Sequence, residues 1–182
     1  MRVCPGEQRG KDMQILYTIG YEGTDIERFV ATLKAVGIQR LADVRAVLHS
    51  RKRGFSKKSL AAHLEAEGIE YLTFQPLGDP KPGRDAARAG QQDVFRAIYT
   101  THLNSEGAQS SLKELTAVAE QQPTCLLCFE RDPVNCHRSI IAEELKSCGF
   151  EVLNLFGDAP ERYVRNAHRL PSYSPRQGTA TA

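Results

Sequence analysis

Between Cys128 and Arg138 the chain reads Cys128-Phe129-Glu130-Arg131-Asp132-Pro133-Val134-Asn135-Cys136-His137-Arg138, so two thiols, a carboxylate, an imidazole and a guanidinium fall within one short stretch. A thiol at Cys136, placed at the N-terminal end of a helix beside Arg138, has its thiolate favoured by the helix dipole and the cation, which is how a cysteine nucleophile is activated. Arg138 and the free N–H groups of the same turn can hold a phosphate or carboxylate, the guanidinium donating two hydrogen bonds. Glu130 and His137, with Asp43 from an earlier segment, are groups that move protons. Cys128, Cys136 and His137 also make an alternative metal-ligand set, although their spacing matches no common zinc signature. The plainer alternatives are thiols packed as small hydrophobes and an Arg138 bridged to Glu130 or Asp132.

These residues need elements to position them, and the surrounding pattern supplies an alternation of strands and helices. Apolar runs read as strands at 15–19, 40–44, 69–74, 124–129 and 151–156, and helices are expected at about 25–36, 57–67, 92–102, 109–121 and 138–147. Ser56 stands as the N-cap of the second helix, and Gly37, Gly68 and Gly149 mark helix ends. Residues 76–90, rich in Pro and Gly, read as a loop long enough to be functional. Such alternation predicts an α/β fold, a single three-layer domain with a mostly parallel sheet and helices on both faces. Loops after the first, second and fourth strands then share the carboxyl rim, where open α/β sheets bind ligands.

The second of those loops begins Asp43-Val44-Arg45 and continues His49-Ser50-Arg51-Lys52-Arg53-Gly54-Phe55. Arg45, Arg51 and Ser50 are candidate anion ligands and Phe55 a candidate stacking ring for a base, unless the run is simply a solvated basic loop. The first loop, Gly20-Tyr21-Glu22-Gly23, either admits a phosphate close to the backbone or makes a turn, which puts Gly20 and Tyr21 on the anion-binding side of the ledger. Cys125 and Cys128 have the spacing of a redox pair, but residues three apart in a strand point to opposite faces, which argues against that use.

Taken together, Thr18-Ile19-Gly20-Tyr21, Asp43-Val44-Arg45, Ser50-Arg51 with Phe55, Gly68-Ile69 with Tyr71, Leu77-Gly78, and Cys128-Phe129-Glu130 with Cys136-His137-Arg138 resemble the domain-of-unknown-function 488 family. The likeness runs from about residue 15 to about residue 156, departing from the pattern at Ala46-Val47-Leu48-His49, where a proline is expected. It implies a fold and a site, and it brings no reaction with it.

The 182 residues, 41% of them hydrophobic, suffice for one sizeable core. The expected organisation is a disordered extension over 1–12, one domain over 13–158, and a basic then Ser/Pro-rich tail over 159–182. A formal net charge of +2 is too small for bulk nucleic-acid or membrane-surface binding, so any anion preference must be local. With no apolar stretch of membrane-spanning length, a cytoplasmic protein without a membrane partner is expected. Five cysteines, four of them between Cys125 and Cys148, do not resemble a secreted disulfide framework, and reduced thiols are expected. The function expected is an enzyme acting on an anionic, phosphate-bearing small molecule or nucleic acid; the alternatives are a non-catalytic nucleotide or nucleic-acid binding module and the metal site. The sequence points to no particular cofactor or oligomeric state.

Overall fold

In the computed structural model, which describes residues 14–165, the first apolar run becomes β1 (Gln14–Gly20), buried at every position. A strand so uniformly buried has no solvent face and belongs inside a sheet covered on both sides. The chain continues through α1 (Ile26–Ala35), β2 (Arg40–Asp43), α2 (Lys57–Glu65), β3 (Glu70–Thr73), α3 (Lys81–Arg88), α4 (Gln92–Leu103), α5 (Glu106–Ala119), β4 (Thr124–Cys128), α6 (His137–Ser147), β5 (Phe150–Phe156) and α7 (Pro160–Arg165). The strands form one sheet in the order β3-β2-β4-β1-β5, every pairing parallel. The fold is thus the α/β architecture expected.

Alternate residues of β1 enter two cores, as the strand period of two requires. Ile15, Tyr17 and Ile19 meet Phe29 and Leu33 of α1, Leu60 and Leu64 of α2, and Tyr163 of α7. Leu16 on the other face packs with Phe95 and Tyr99 of α4, Leu115 of α5, and Ile141 and Leu145 of α6. Cys125 sits in the first core, whereas Leu126 lies in the second, so the strand geometry that argues against a Cys125–Cys128 redox pair holds. Cys125, Cys128 and Cys136 are free thiols. Cys148, at the end of α6, is disulfide-bonded, contrary to the expectation of reduced thiols throughout.

β4 lies between β1 and β2, with Gly20 level with Cys128 and Asp43 level with Leu127. Three strand ends distant in sequence therefore open side by side, and their loops line one rim. Gly20 is required there by close approach, since a Cβ on it would come within 1.8 Å of the Glu130 carbonyl oxygen. The turn after β1 and the loop after β4 are tied along their backbones, Glu22 N–H donating to Phe129 O at 2.9 Å.

Two expectations need correction, for residues 76–90 and for the start of α5. Residues 76–90 are not a loop: Pro80 is the N-cap of α3 and Pro82 lies in its first turn, where a missing N–H costs no hydrogen bond, so prolines that read as breakers start a helix. Ser56 is the N-cap residue of α2, as expected, although its hydroxyl makes no capping bond. The helix expected from residue 109 begins at Glu106, because Ser105 caps it by accepting from Ala108 N–H. Beyond residue 158 α7 follows, and its Tyr163, 6% exposed, packs into the first core and accepts from Phe156 N–H at 2.8 Å. The expectations for residues 1–12 and for the chain after residue 165 lie outside the described residues.

Candidate functional site

β4 ends at Cys128, and the chain then passes through Glu130, a single 3-10 turn at Pro133–Asn135, and Cys136, the N-cap of α6. Asp132 shapes the turn by accepting from Val134 N–H at 3.0 Å. This path folds back so that the residues at its two ends meet. His137 Nδ1 lies 3.6 Å from Cys128 Sγ and 4.0 Å from Cys136 Sγ, and Cys128 Sγ donates to Glu130 Oε2 at 3.0 Å. On the far side of the imidazole, Nε2 is 2.9 Å from Val44 O. A carbonyl only accepts, so Nε2 carries a proton and Nδ1 is left to face the two sulfurs.

All of this lines a cavity of about 580 Å³, within the range of small-molecule sites. Of the residues singled out from sequence, Cys128, Glu130, Cys136, His137, Arg45 and Tyr21 line it. Asp43, Arg138, Arg51, Ser50, Gly20 and Phe55 are not among its lining residues.

Arg138 differs most from expectation. It is wholly buried, and its guanidinium donates to Glu130 O, to Arg131 O at 3.0 Å and to Thr18 Oγ1 at 3.3 Å. The cation staples the loop to β1 and does not face an anion, nor does it bridge to the carboxylates of Glu130 or Asp132. Asp43 is likewise spent: its carboxylate accepts from Arg45 Nη2 at 2.6 Å and from the Tyr71 hydroxyl at 2.6 Å, so it positions Arg45 rather than moving a substrate proton. Arg45 also donates to Phe55 O at 3.0 Å and lies over the Tyr21 ring. Phe55 is fully buried, stacked on Tyr21 at 4.5 Å, and cannot receive a base. Ser50 accepts from the Tyr21 hydroxyl, Arg51 is exposed away from the cavity, and Gly20 is filled by the Glu130 backbone.

The charges at the cluster follow from its packing. Burial opposes ionisation of Cys136, but the Cys128 thiol, His137 and Arg138 outweigh it and hold Cys136 well below the usual thiol range. Burial and the neighbouring Cys136 and Glu130 keep Cys128 protonated, its pKa well above that range. Burial would lower His137, yet Cys136 and the Val44 carbonyl lift it to about 9. Glu130 is pushed up to about 7 by burial and by Cys136, which makes it a proton donor or acceptor near neutral pH.

A model for the domain described as "Domain of unknown function DUF488" matches residues 25–145, about two thirds of the chain. The chain belongs to the DUF488 family. No curated protein and no solved structure matches it.

The matched region of this DUF488 chain also contains the residues that sequence patterns missed. Asp79, Lys81, Arg84 and Arg88 from the β3–α3 segment, Gln92 from α4 and the half-exposed Phe129 all line the cavity. The hints were the length of the Pro- and Gly-rich stretch 76–90 and the Leu77-Gly78 pair within it: a Cβ at Gly78 would lie 2.2 Å from Ala46 N, so that glycine lets the segment lie on the loop after β2. The cavity's cations thus come from α3 and Arg45, not from the basic run 51–58. Among the described residues no helix is long and apolar enough to cross a membrane.

Asp79 gives this DUF488 domain a pH signature. Burial lifts its carboxyl to about 6 against the opposing pull of His137 and Arg84. With the folded pKa raised above the unfolded one, the contribution to stability is present below about pH 4 and lost as pH rises through about 6. Asp79→Asn is therefore expected to stabilise the protein by about 1–3 kcal/mol at pH 7.5 and by almost nothing at pH 4. Urea denaturation at both pH values measures this; equal effects would contradict it.

Proposed function

We propose that the cavity is the active site of an enzyme acting on an anionic, phosphate-bearing substrate, with Cys136 as its nucleophile. The observation that carries this reading is the placement of Cys136 Sγ on the cavity wall, with His137 Nδ1 4.0 Å away and fixed in orientation by Val44 O at 2.9 Å. A thiol so placed at a helix N-terminus is activated by the imidazolium and the dipole. His137 acts as counter-ion, Glu130 gives or takes the proton that the reaction requires, and Arg45, Lys81, Arg84 and Arg88 attract the anion. Arg138 acts on the site through the loop it holds, as a positioning residue.

Alkylation of the full-length protein at a series of pH values, read at Cys136 by peptide mass spectrometry, tests the reading. Cys136 is expected to react well below the ordinary thiol pKa of about 8.5 and to be protected by inorganic phosphate, with protection lost in Arg84→Ala. A thiol that titrates normally and is not protected would overturn it.

One observation favours a second reading. The ligand atoms of Cys128, Cys136 and His137 all lie within 4.8 Å of one another, and tetrahedral zinc holds sulfur and nitrogen ligands about 3.5–3.8 Å apart. The Val44 carbonyl on Nε2 is the kind of outer hydrogen bond that metal-bound histidines make. On this reading the three side chains hold a metal, with the cavity at the open position. Stoichiometric zinc in freshly purified protein, with loss of stability on chelation, would favour it over a free thiolate.

A further inference from the structure

The wall that α3 and its neighbours add to the cavity holds two acceptor oxygens that no described residue satisfies. Asp79 is 6% exposed and lines the cavity, yet its Oδ1 accepts no hydrogen bond. Gln92 lines the same cavity, and its Oε1 is buried and equally without a donor. Buried polar groups are normally paired, and such exceptions call for a partner from outside the chain. The chain makes room for the Asp79 oxygen, since a Cβ at Gly83 would lie 2.1 Å from it. Arg84 donates to the Asp79 main-chain carbonyl and so holds the segment in place.

The rest of the lining narrows the partner. Lys81, Arg84 and Arg88 line the cavity, and both Lys81 and Arg88 share the single carboxylate of Asp85, leaving an excess of positive charge. Phe129 is 45% exposed on the same cavity and is braced edge-on against Tyr21 at 5.2 Å, so a ring face is available that Phe55 does not offer. The ligand must therefore combine an anionic group, N–H donors and a flat apolar body. A sugar phosphate lacks the flat body, and a small carboxylate fills too little of 580 Å³.

We propose that the cavity binds a nucleoside monophosphate, its phosphate drawn to Lys81, Arg84 and Arg88, its base presenting N–H donors to Asp79 and Gln92 and packing on Phe129. This rests on the reading of the cavity as an anion-binding active site, and it names the substrate class.

Calorimetric titration of the full-length protein with inorganic phosphate, the four common ribonucleosides and their 5′-monophosphates tests it. At least one monophosphate is expected to bind ten or more times tighter than phosphate or its own nucleoside. Gln92→Leu is expected to weaken that binding about fivefold, the effect of one lost hydrogen bond of about 1 kcal/mol, while leaving phosphate affinity unchanged. Because it removes an unsatisfied acceptor, the variant is expected to melt no lower than the parent, which separates a binding defect from a folding one. Monophosphates that bind no tighter than phosphate, or a Gln92→Leu variant that binds them unchanged, would overturn the proposal. If phosphate still protects Cys136 in that case, the enzyme reading stands and the substrate class alone is wrong; loss of both would remove the two together.

Discussion

Arg138→Ala is expected to destabilise the protein by about 3–5 kcal/mol. The guanidinium is fully buried and supplies the donors for Glu130 O, Arg131 O and Thr18 Oγ1. Hydrogen bonds from charged donors contribute about 1.5–3 kcal/mol each, and acceptors left buried and unpaired cost about 1–3 kcal/mol. Truncation also leaves a cavity the length of an arginine side chain. Set against a total stability of about 5–15 kcal/mol, the loss should move the urea midpoint by about 1–3 M. Arg138→Lys keeps the charge but cannot fork to two carbonyls, and should recover less than half of the loss. A residue whose role is to grip a substrate anion predicts the reverse, a variant of normal stability that no longer binds. Normal stability in Arg138→Ala would return Arg138 to the anion site.

Asp43→Ala should cost about 3–5 kcal/mol as well, and by a different route. Asp43 is fully buried, Arg45 is 5% exposed, and they are joined at 2.6 Å. Removing one partner of a buried pair strands the other charge in a low-dielectric setting, which is far costlier than removing both. It also frees the Tyr71 hydroxyl, which donates to Asp43 Oδ2 at 2.6 Å. The double variant Asp43→Leu with Arg45→Met should therefore be more stable than Asp43→Ala alone, by about 2 kcal/mol or more. Thermal melts follow this as a fall of about 10 °C for Asp43→Ala and a partial recovery in the double variant. A double variant less stable than the single would show that the pair stabilises beyond mutual neutralisation. Because Arg45 reaches the cavity from this pair, phosphate protection of Cys136 should also weaken in the double variant, whose stability is nearer the parent's.

The prolines and glycines divide sharply in how legible they were. Gly37 and Gly68 take positive φ where helices hand over to strands, a conformation that glycine alone adopts freely, so they could be read as helix ends. Pro80 and Pro82 could not, because a proline ends one helix and begins another by the same loss of an N–H, and only the chain's later packing tells which. The β3–α3 segment with Asp79 and Arg84 was read as a loop for that reason, and its residues were not singled out. Phe55 and Phe129 illustrate a second limit. Both stand in polar loops on the same rim, yet one stacks under Tyr21 in the core and the other lies half open on the cavity.

Period and composition are local properties, and the sequence by itself determined what depends on them: alternating strands and helices, a parallel sheet, and a carboxyl rim on which the thiols, imidazole and carboxylates would lie. The family followed from motifs in order along the chain. Side-chain direction in a loop is decided instead by partners far away in sequence. Val44 O sets which nitrogen of His137 faces the sulfurs, across 93 residues, and Thr18 helps turn Arg138 inward, across 120. Only the tertiary structure could decide that Arg138 and Asp43 hold the site together, because both are buried and must find partners from distant segments, and that α3 supplies the site's charge, because its packing places Lys81, Arg84 and Arg88 on the cavity.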